Sequence, residues 1–200
     1  MADPPSGTVT FLFTDIEGST GLWEDYPEAL AQHDAILRDV VESAGGQVVK
    51  TTGDGFFAVF GRVEAALMAA LATQRALAAA AWGKTGALRV RVGVHTGDAE
   101  FGGGDYHGPA VNRAARLMTA GHGGQVLVSG ATAALVGGRL PEGAELVALG
   151  EKRLRDLGRP ELLYQLAHPD LLGRFPPLRT LDAFPGNLPS MSSSAQAIGS

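Results

Sequence analysis

The sequence contains no cysteine, which excludes disulfides and thiolate metal sites and fits a reducing compartment. Its apolar blocks are short and broken by glycine or charge. None approaches the roughly 18 consecutive apolar residues that a membrane span requires. The opening MADPPSG lacks a basic stretch followed by an apolar one, so it does not read as a secretory signal. A broad positive field is missing too: the formal net charge is -5, which argues against a nucleic-acid backbone as a direct partner. The expectation is a cytoplasmic protein that engages neither membrane nor nucleic acid. The local run Lys152, Arg153, Arg155 and Arg159 is the exception. Taken alone, it fits either a solvated face or an anion site.

What is present is enough apolar residue for one substantial core, 45% of 200 residues. Residues 9–15, VTFLFTD, are β-branched and aromatic and read as a buried strand emerging at Asp15. Two helical stretches follow the Gly18-Ser19-Thr20 segment. Leu22, Trp23 and Tyr26 open the first, and Leu30, His33, Leu37, Val40 and Val41 continue an apolar stripe at helical spacing up to Ala44-Gly45-Gly46. In QVVKTTGDGFFAVF, two β-rich runs flank Thr52-Gly53-Asp54-Gly55, which predicts a hairpin with Asp54 near its tip.

Residues 63–82, rich in alanine and leucine, read as one long helix. LRVRVGVHTGDAEF alternates, with Val90, Val92 and Val94 on one face and Arg89 and Arg91 on the other. A glycine-rich loop then leads to a helix that Pro109 helps to start. QVLVSG reads as a strand, TAALVGG as a short helix, and two later strands end near ELLYQL. That order predicts a ferredoxin-like βαββαβ core, α/β (α+β), with a mixed, mainly antiparallel sheet and helices on one face. Residues 1–7 read as a flexible N-terminus and 8–167 as one domain. The Pro/Gly/Ser-rich residues 168–200 read as a tail or linker.

Asp15 and Asp54 stand out, each set against a strongly apolar strand pattern. If the first strand lies beside the hairpin, the two carboxylates converge on a rigid sheet. Hard oxygen donors near a glycine-rich turn suit magnesium or manganese with a polyphosphate. The same residues also fit a helix cap at Asp15 and an ordinary turn residue at Asp54. Gly18-Ser19-Thr20 adds backbone N–H groups ahead of a helix, a phosphate contact of low specificity.

In combination, FTDIEGST, KTTGDGFFAVF, VRVGVHTG and GDYHGPAVNRAARL resemble, in order, the successive motifs of class III adenylate and guanylate cyclase domains. The resemblance runs from about residue 9 to about residue 166. It implies that Asp15, the carbonyl of Ile16 and Asp54 hold two Mg2+ or Mn2+ ions per site. It likewise implies that Lys50 and Asp105 select adenine, Asn112 orients the ribose and Arg116 stabilises charge on the reacting phosphate. Arg155 falls on a late basic residue that holds the terminal phosphates, in a segment that departs from the family's usual lysine–glycine form. His107 and Pro109 depart from the commonest metazoan pattern and resemble a bacterial subgroup.

The implied activity is an adenylate cyclase acting on ATP. The implied assembly is a homodimer with composite sites at the interface, its metal aspartates drawn from one copy and the purine, ribose and phosphate residues from the other. Three rivals stand beside it: an inactive cyclase-like regulatory module, a guanylate cyclase, and another metal-dependent phosphotransferase on a similar sheet. His95 and His107 carry structural or loop roles in this reading.

Overall fold

The computed structural model describes residues 4–19 and 27–181. The expected helix start at Leu22, Trp23 and Tyr26 lies outside the described residues, as do Thr20 and the stretch 182–200. In chain order the elements are β1 (Gly7–Ile16), α1 (Pro27–Ser43), β2 (Gln47–Thr52), β3 (Gly55–Phe60), α2 (Val63–Ala79), β4 (Val90–Gly102) and β5 (Asp105–His107). They continue with α3 (Pro109–Ala120), β6 (Val126–Ser129), α4 (Gly130–Val136), β7 (Glu145–Lys152) and β8 (Glu161–Ala167).

The strands hydrogen-bond in the order β2-β3-β1-β4-β6-β8-β7, with β5 folded back on β4. Within β2-β3-β1-β4 every neighbouring pair is antiparallel. That is the ferredoxin-like βαββαβ core, and α1 and α2 both cover the same face of it. Among the described residues only the β4–β6 pair is parallel. A parallel neighbour needs a crossover between its strands, and α3 supplies it.

Strand β1 is covered on both faces, so its sequence is a near-continuous apolar run rather than an alternation. Leu12 and Ile16 pack with Leu37, Val41, Leu67 and Phe56 beneath α1 and α2. Val9 and Phe11 pack with Phe57, Tyr106, Ala110 and Ala114 on the opposite face, beneath α3. Each fully buried Leu or Phe of this kind contributes about 1.5–3 kcal/mol. Helix α1 buries Leu30, His33, Leu37 and Val41 of the predicted stripe and leaves Val40 partly buried.

Helix α2 ends at Ala79, three residues before the expected boundary at 82. The cause is Trp82, which is 8% exposed and turns its ring into the core. Its indole N–H donates to the carbonyl of Leu77 at 2.9 Å, satisfying one of the carbonyls a helix end leaves unpaired.

The glycine-rich segment expected as a loop is a hairpin. Strand β4 runs on to Gly102 and pairs with β5 through Gly103 and Gly104, at φ 62° and 82°. Two consecutive positive φ angles are what a tight two-residue hairpin turn demands. Among the described residues beyond Ala167 there is no α-helix or strand, yet Leu178 is buried against Leu154 and Leu163.

Candidate active site

Asp15 is the penultimate residue of β1, and Asp54 lies in the two-residue turn between β2 and β3. The register pairs Thr14 with Phe56, which carries Asp15 alongside Gly55 and next to Asp54. Burial is the main influence on Asp15 and lifts its carboxyl above the usual range. Arg91 works against that lift and the negative charge of Asp54 adds to it. Ile16 is 2% exposed and anchors the strand end in the core. The following turn is tied down by Glu17 N–H donating to Arg89 O at 2.9 Å.

Arg91 was read from sequence only as a polar strand position. It lies directly across from Asp15 in β4, donates Nε–H to Oδ1 at 2.6 Å and pairs through Nη2 with Oδ2. The available signal was a basic residue within a β-rich run, on the face opposite Val90, Val92 and Val94. Gly18 takes φ 74° in the turn, and Ser19 follows it.

A second cluster forms at Lys50 and Asp105, which are ion-paired. A register shift in β2 between Val48 and Lys50 makes this possible. Val48 pairs with Ala58 and packs on the α1/α2 side, while Lys50 pairs with Phe57 on the α3 side. Without this bulge, regular pairing of Val49 with Phe57 would bring Lys50 opposite Phe56 and aim it into the core under α1 and α2. Lys50 Nζ instead sits 5.8 Å from the Phe57 ring centre. Asp105 reaches it because Tyr106 locks the β4–β5 hairpin edge-on against Phe11, with ring centres 5.7 Å apart. The hydrogen bond from Lys50 holds the Asp105 carboxyl below its ordinary value.

The third cluster is on α3. Asn112 is exposed, and one turn later Arg116 Nη2 is ion-paired with Asp156 Oδ2 at 2.8 Å. Asp156 is the single non-glycine residue with positive φ among the described residues, at 61°. Sequence reasoning missed Asp156. It follows Arg155 directly, and a left-handed backbone is where glycine is ordinarily favoured. Arg155 beside it is exposed. His95 is buried, hydrogen-bonded through Nδ1 to Ser129 Oγ at 2.8 Å. Burial, helped by the charge of Arg113, pushes it down to about 4, so the ring is neutral. His107 is exposed, with its Nε2 3.2 Å from Gly102 O.

Asp15 and Asp54, with the neighbouring Ile16 carbonyl, offer the hard oxygen donors that magnesium or manganese prefers. Among the described residues no group of three or more His, Cys, Asp or Glu side chains could hold a metal ion. The remaining ligands would be oxygens of a bound polyphosphate, so the donor set fits a metal–nucleotide complex. No hydrogen bond or ion pair among the described residues joins the three clusters to one another.

Asp15 near the end of β1, Asp54 in the β2–β3 turn, the Lys50–Asp105 pair and α3 all lie within the span of a single family match. Residues 1–168 match the model of the adenylate and guanylate cyclase catalytic domain. The chain belongs to this class III cyclase family.

An uncharacterised protein of Mycobacterium tuberculosis is 44% identical over 191 residues, covering 92% of this cyclase domain chain and 65% of that protein. The chain thus spans less than two thirds of that relative's length. An adenylate cyclase of Neurospora crassa is 31% identical over 231 residues, covering 86% of this chain and 10% of the fungal protein. Among solved structures, an adenylate cyclase of Trypanosoma brucei in its monomeric state superposes with a TM-score of 0.75 at 29% identity, covering 90% of this chain and 97% of that one. An adenylyl cyclase of P. aeruginosa shares the cyclase fold, with a TM-score of 0.68 at 23% identity over 86% of this chain and 100% of that one. No helix among the described residues is long and apolar enough to cross a membrane.

Proposed function

We propose that this cyclase domain converts ATP to 3′,5′-cyclic AMP and pyrophosphate as a homodimer with two composite sites. The observation that carries the reading is the Lys50–Asp105 pair, assembled by a bulge in one strand and a hairpin on another. Lys50 donates to adenine N1, and Asp105 accepts from the N6 amine. Guanine presents a ring N–H and a carbonyl at those positions, so the same pair would bury mismatched donors and acceptors.

In the reaction the ribose 3′-oxygen attacks the α-phosphorus, the bond to the bridging oxygen of pyrophosphate breaks, and the 3′-hydroxyl proton leaves to solvent. Asp15, the Ile16 carbonyl and Asp54 would hold two divalent ions, which lower the pKa of the 3′-hydroxyl and neutralise phosphate charge when bound. To do so Asp15 gives up Arg91, and the released guanidinium is then free to donate to a phosphate oxygen. Asn112 orients the ribose, and Arg116 presents a fixed cation to the charge spreading over the α-phosphoryl group. A donor of this kind is commonly worth about 3 to 4 kcal/mol. Backbone N–H groups of Gly18, Ser19 and Thr20 and the side chain of Arg155 bind the remaining phosphates.

A second reading draws on one observation: both oxygens of Asp15 are already held by Arg91. A weak or inactive cyclase-like domain that binds nucleotide and regulates a partner would keep that contact closed. The deciding experiment incubates purified protein with ATP or GTP, each with Mg2+ and with Mn2+, and identifies products by mass. Cyclic AMP formed in preference to cyclic GMP is the expected result, and Lys50→Ala should narrow that preference at least tenfold, about 1.4 kcal/mol. Predominant cyclic GMP would refute the specificity assigned to Lys50 and Asp105. No cyclic product with either metal would favour the regulatory reading.

A further inference from the structure

The family match ends at residue 168, and a linker beyond it has no reason to touch the catalytic elements. Residues 177–181 nevertheless touch three of them. The guanidinium of Arg179 is ion-paired with Glu17 in the loop that follows the metal aspartate. Arg179 N–H donates to Ala120 O, the last residue of α3, at 2.9 Å. Leu181 N–H donates to Arg153 O, two residues before Arg155, at 3.0 Å. Leu178 is 8% exposed and packs into the cluster that contains Leu117 and Ala120 of α3.

Glu17 is held from two sides. Its second carboxylate oxygen accepts the N–H of Gly123 at 3.0 Å, just past the end of α3. A side chain at Gly123 could not fit there, because its Cβ would stand 2.7 Å from both Glu17 Oε2 and Arg89 Cβ. His122 Nε2 lies 3.0 Å from Pro177 O and closes the ring. One short stretch of chain therefore ties the Asp15–Ser19 loop to the C-terminal end of α3 and to the basic loop.

We propose that Arg179 is a positioning residue for the cyclase reaction, clamping the metal-binding loop through Glu17 to the helix that carries Asn112 and Arg116. This rests on the composite-site reading above. In a dimer of that kind the metal loop and α3 of one copy serve opposite sites, so the clamp sets the two half-sites of a subunit in a common frame. Arg179 contacts no reacting atom in this scheme; its guanidinium meets Glu17.

The test compares the full chain with Arg179→Ala, Glu17→Gln and the double variant, each checked by thermal unfolding so that rates are read on folded protein. An exposed ion pair is worth up to about 1 kcal/mol, so kcat/KM for ATP should fall about fivefold in each single variant. The double variant should fall no further, because the pair works as a unit, and Arg179→Lys should recover part of the loss. An Arg179→Ala enzyme as fast as the unaltered chain, or additive losses in the double variant, would overturn the proposal.

Amide hydrogen exchange at Glu17, Gly18 and Ser19 gives a readout that needs no turnover. Faster exchange there in Arg179→Ala, at unchanged global stability, supports the clamp, and unchanged exchange overturns it whatever the rates do. Should the unaltered chain make no cyclic nucleotide, the proposed activity fails and the exchange measurement alone decides the clamp.

Discussion

Asp156 carries two burdens at once, a left-handed backbone at φ 61° and an ion pair with Arg116 at 2.8 Å. Substitutions separate them. Asp156→Gly relieves the backbone and should leave stability within about 1 kcal/mol, whereas Asp156→Val adds a β-branched side chain to the same φ and should cost about 2 kcal/mol. Both lose the carboxylate, so the difference between their urea midpoints isolates the backbone. Equal midpoints would show that the loop relaxes freely. His95 makes a prediction about pH. It titrates near 6.5 when unfolded and at about 4 in the fold, mainly because it is buried. Between those values the unfolded chain binds more protons. The His95 contribution is therefore fully present above about pH 6.5 and disappears as pH falls through about 4. A depression of that size corresponds to about 3 kcal/mol. Burial lowers the His33 pKa as well, with the same sign. Urea unfolding of His95→Gln followed from pH 7 to pH 4 should show a flatter acid limb than the unaltered chain.

At the scale of elements, the close seat of α3 on β4 decides where Asn112 and Arg116 stand. A Cβ at Gly93 would lie 2.5 Å from Met118 N and 2.8 Å from Ala114 O, both backbone atoms that cannot swing aside. Gly93→Ala should push α3 outward and cost about 2 kcal/mol. Turnover should fall even in the fraction that remains folded, because both active-site side chains ride on the displaced helix. A stable variant with normal turnover would show that α3 adjusts without moving its polar face. Most elements were legible beforehand because their apolar residues recur at periods of two or near 3.6. Three local features were not. The bulge at Val49 leaves no mark in a β-rich run, since every residue around it favours a strand. Helix α2 stops short of 82 because Trp82 turns inward to cap it, a choice made by the core. The stretch Gly102–Asp105 looked like a loop because glycine is common to loops and to tight hairpin turns.

For the whole molecule, no hydrogen bond or ion pair among the described residues joins the three clusters, and a dimer is where composite sites would unite them. If one site draws Asp15 and Asp54 from one copy and Arg116 from another, Asp54→Ala and Arg116→Ala should each be inactive as homodimers. Co-expressed, they should recover about a quarter of the unaltered activity, since half of the dimers formed at random are mixed and each mixed dimer keeps one intact site. Mixed dimers confirmed by mass but without recovered turnover would count against composite sites.

The amino-acid sequence alone determined the kind of protein this is. Apolar periodicity dictated the strands and helices, and the order of short polar motifs within them marked the cyclase family, because both are properties of neighbouring residues. Only the tertiary structure decided which charges meet. It set Arg91 against Asp15, turned Lys50 towards Asp105, placed Asp156 under Arg116 and returned Arg179 to Glu17. These contacts join residues distant along the chain. They depend on strand register, one bulge and the path of the segment after β8, none of which a local pattern of hydrophobicity can encode.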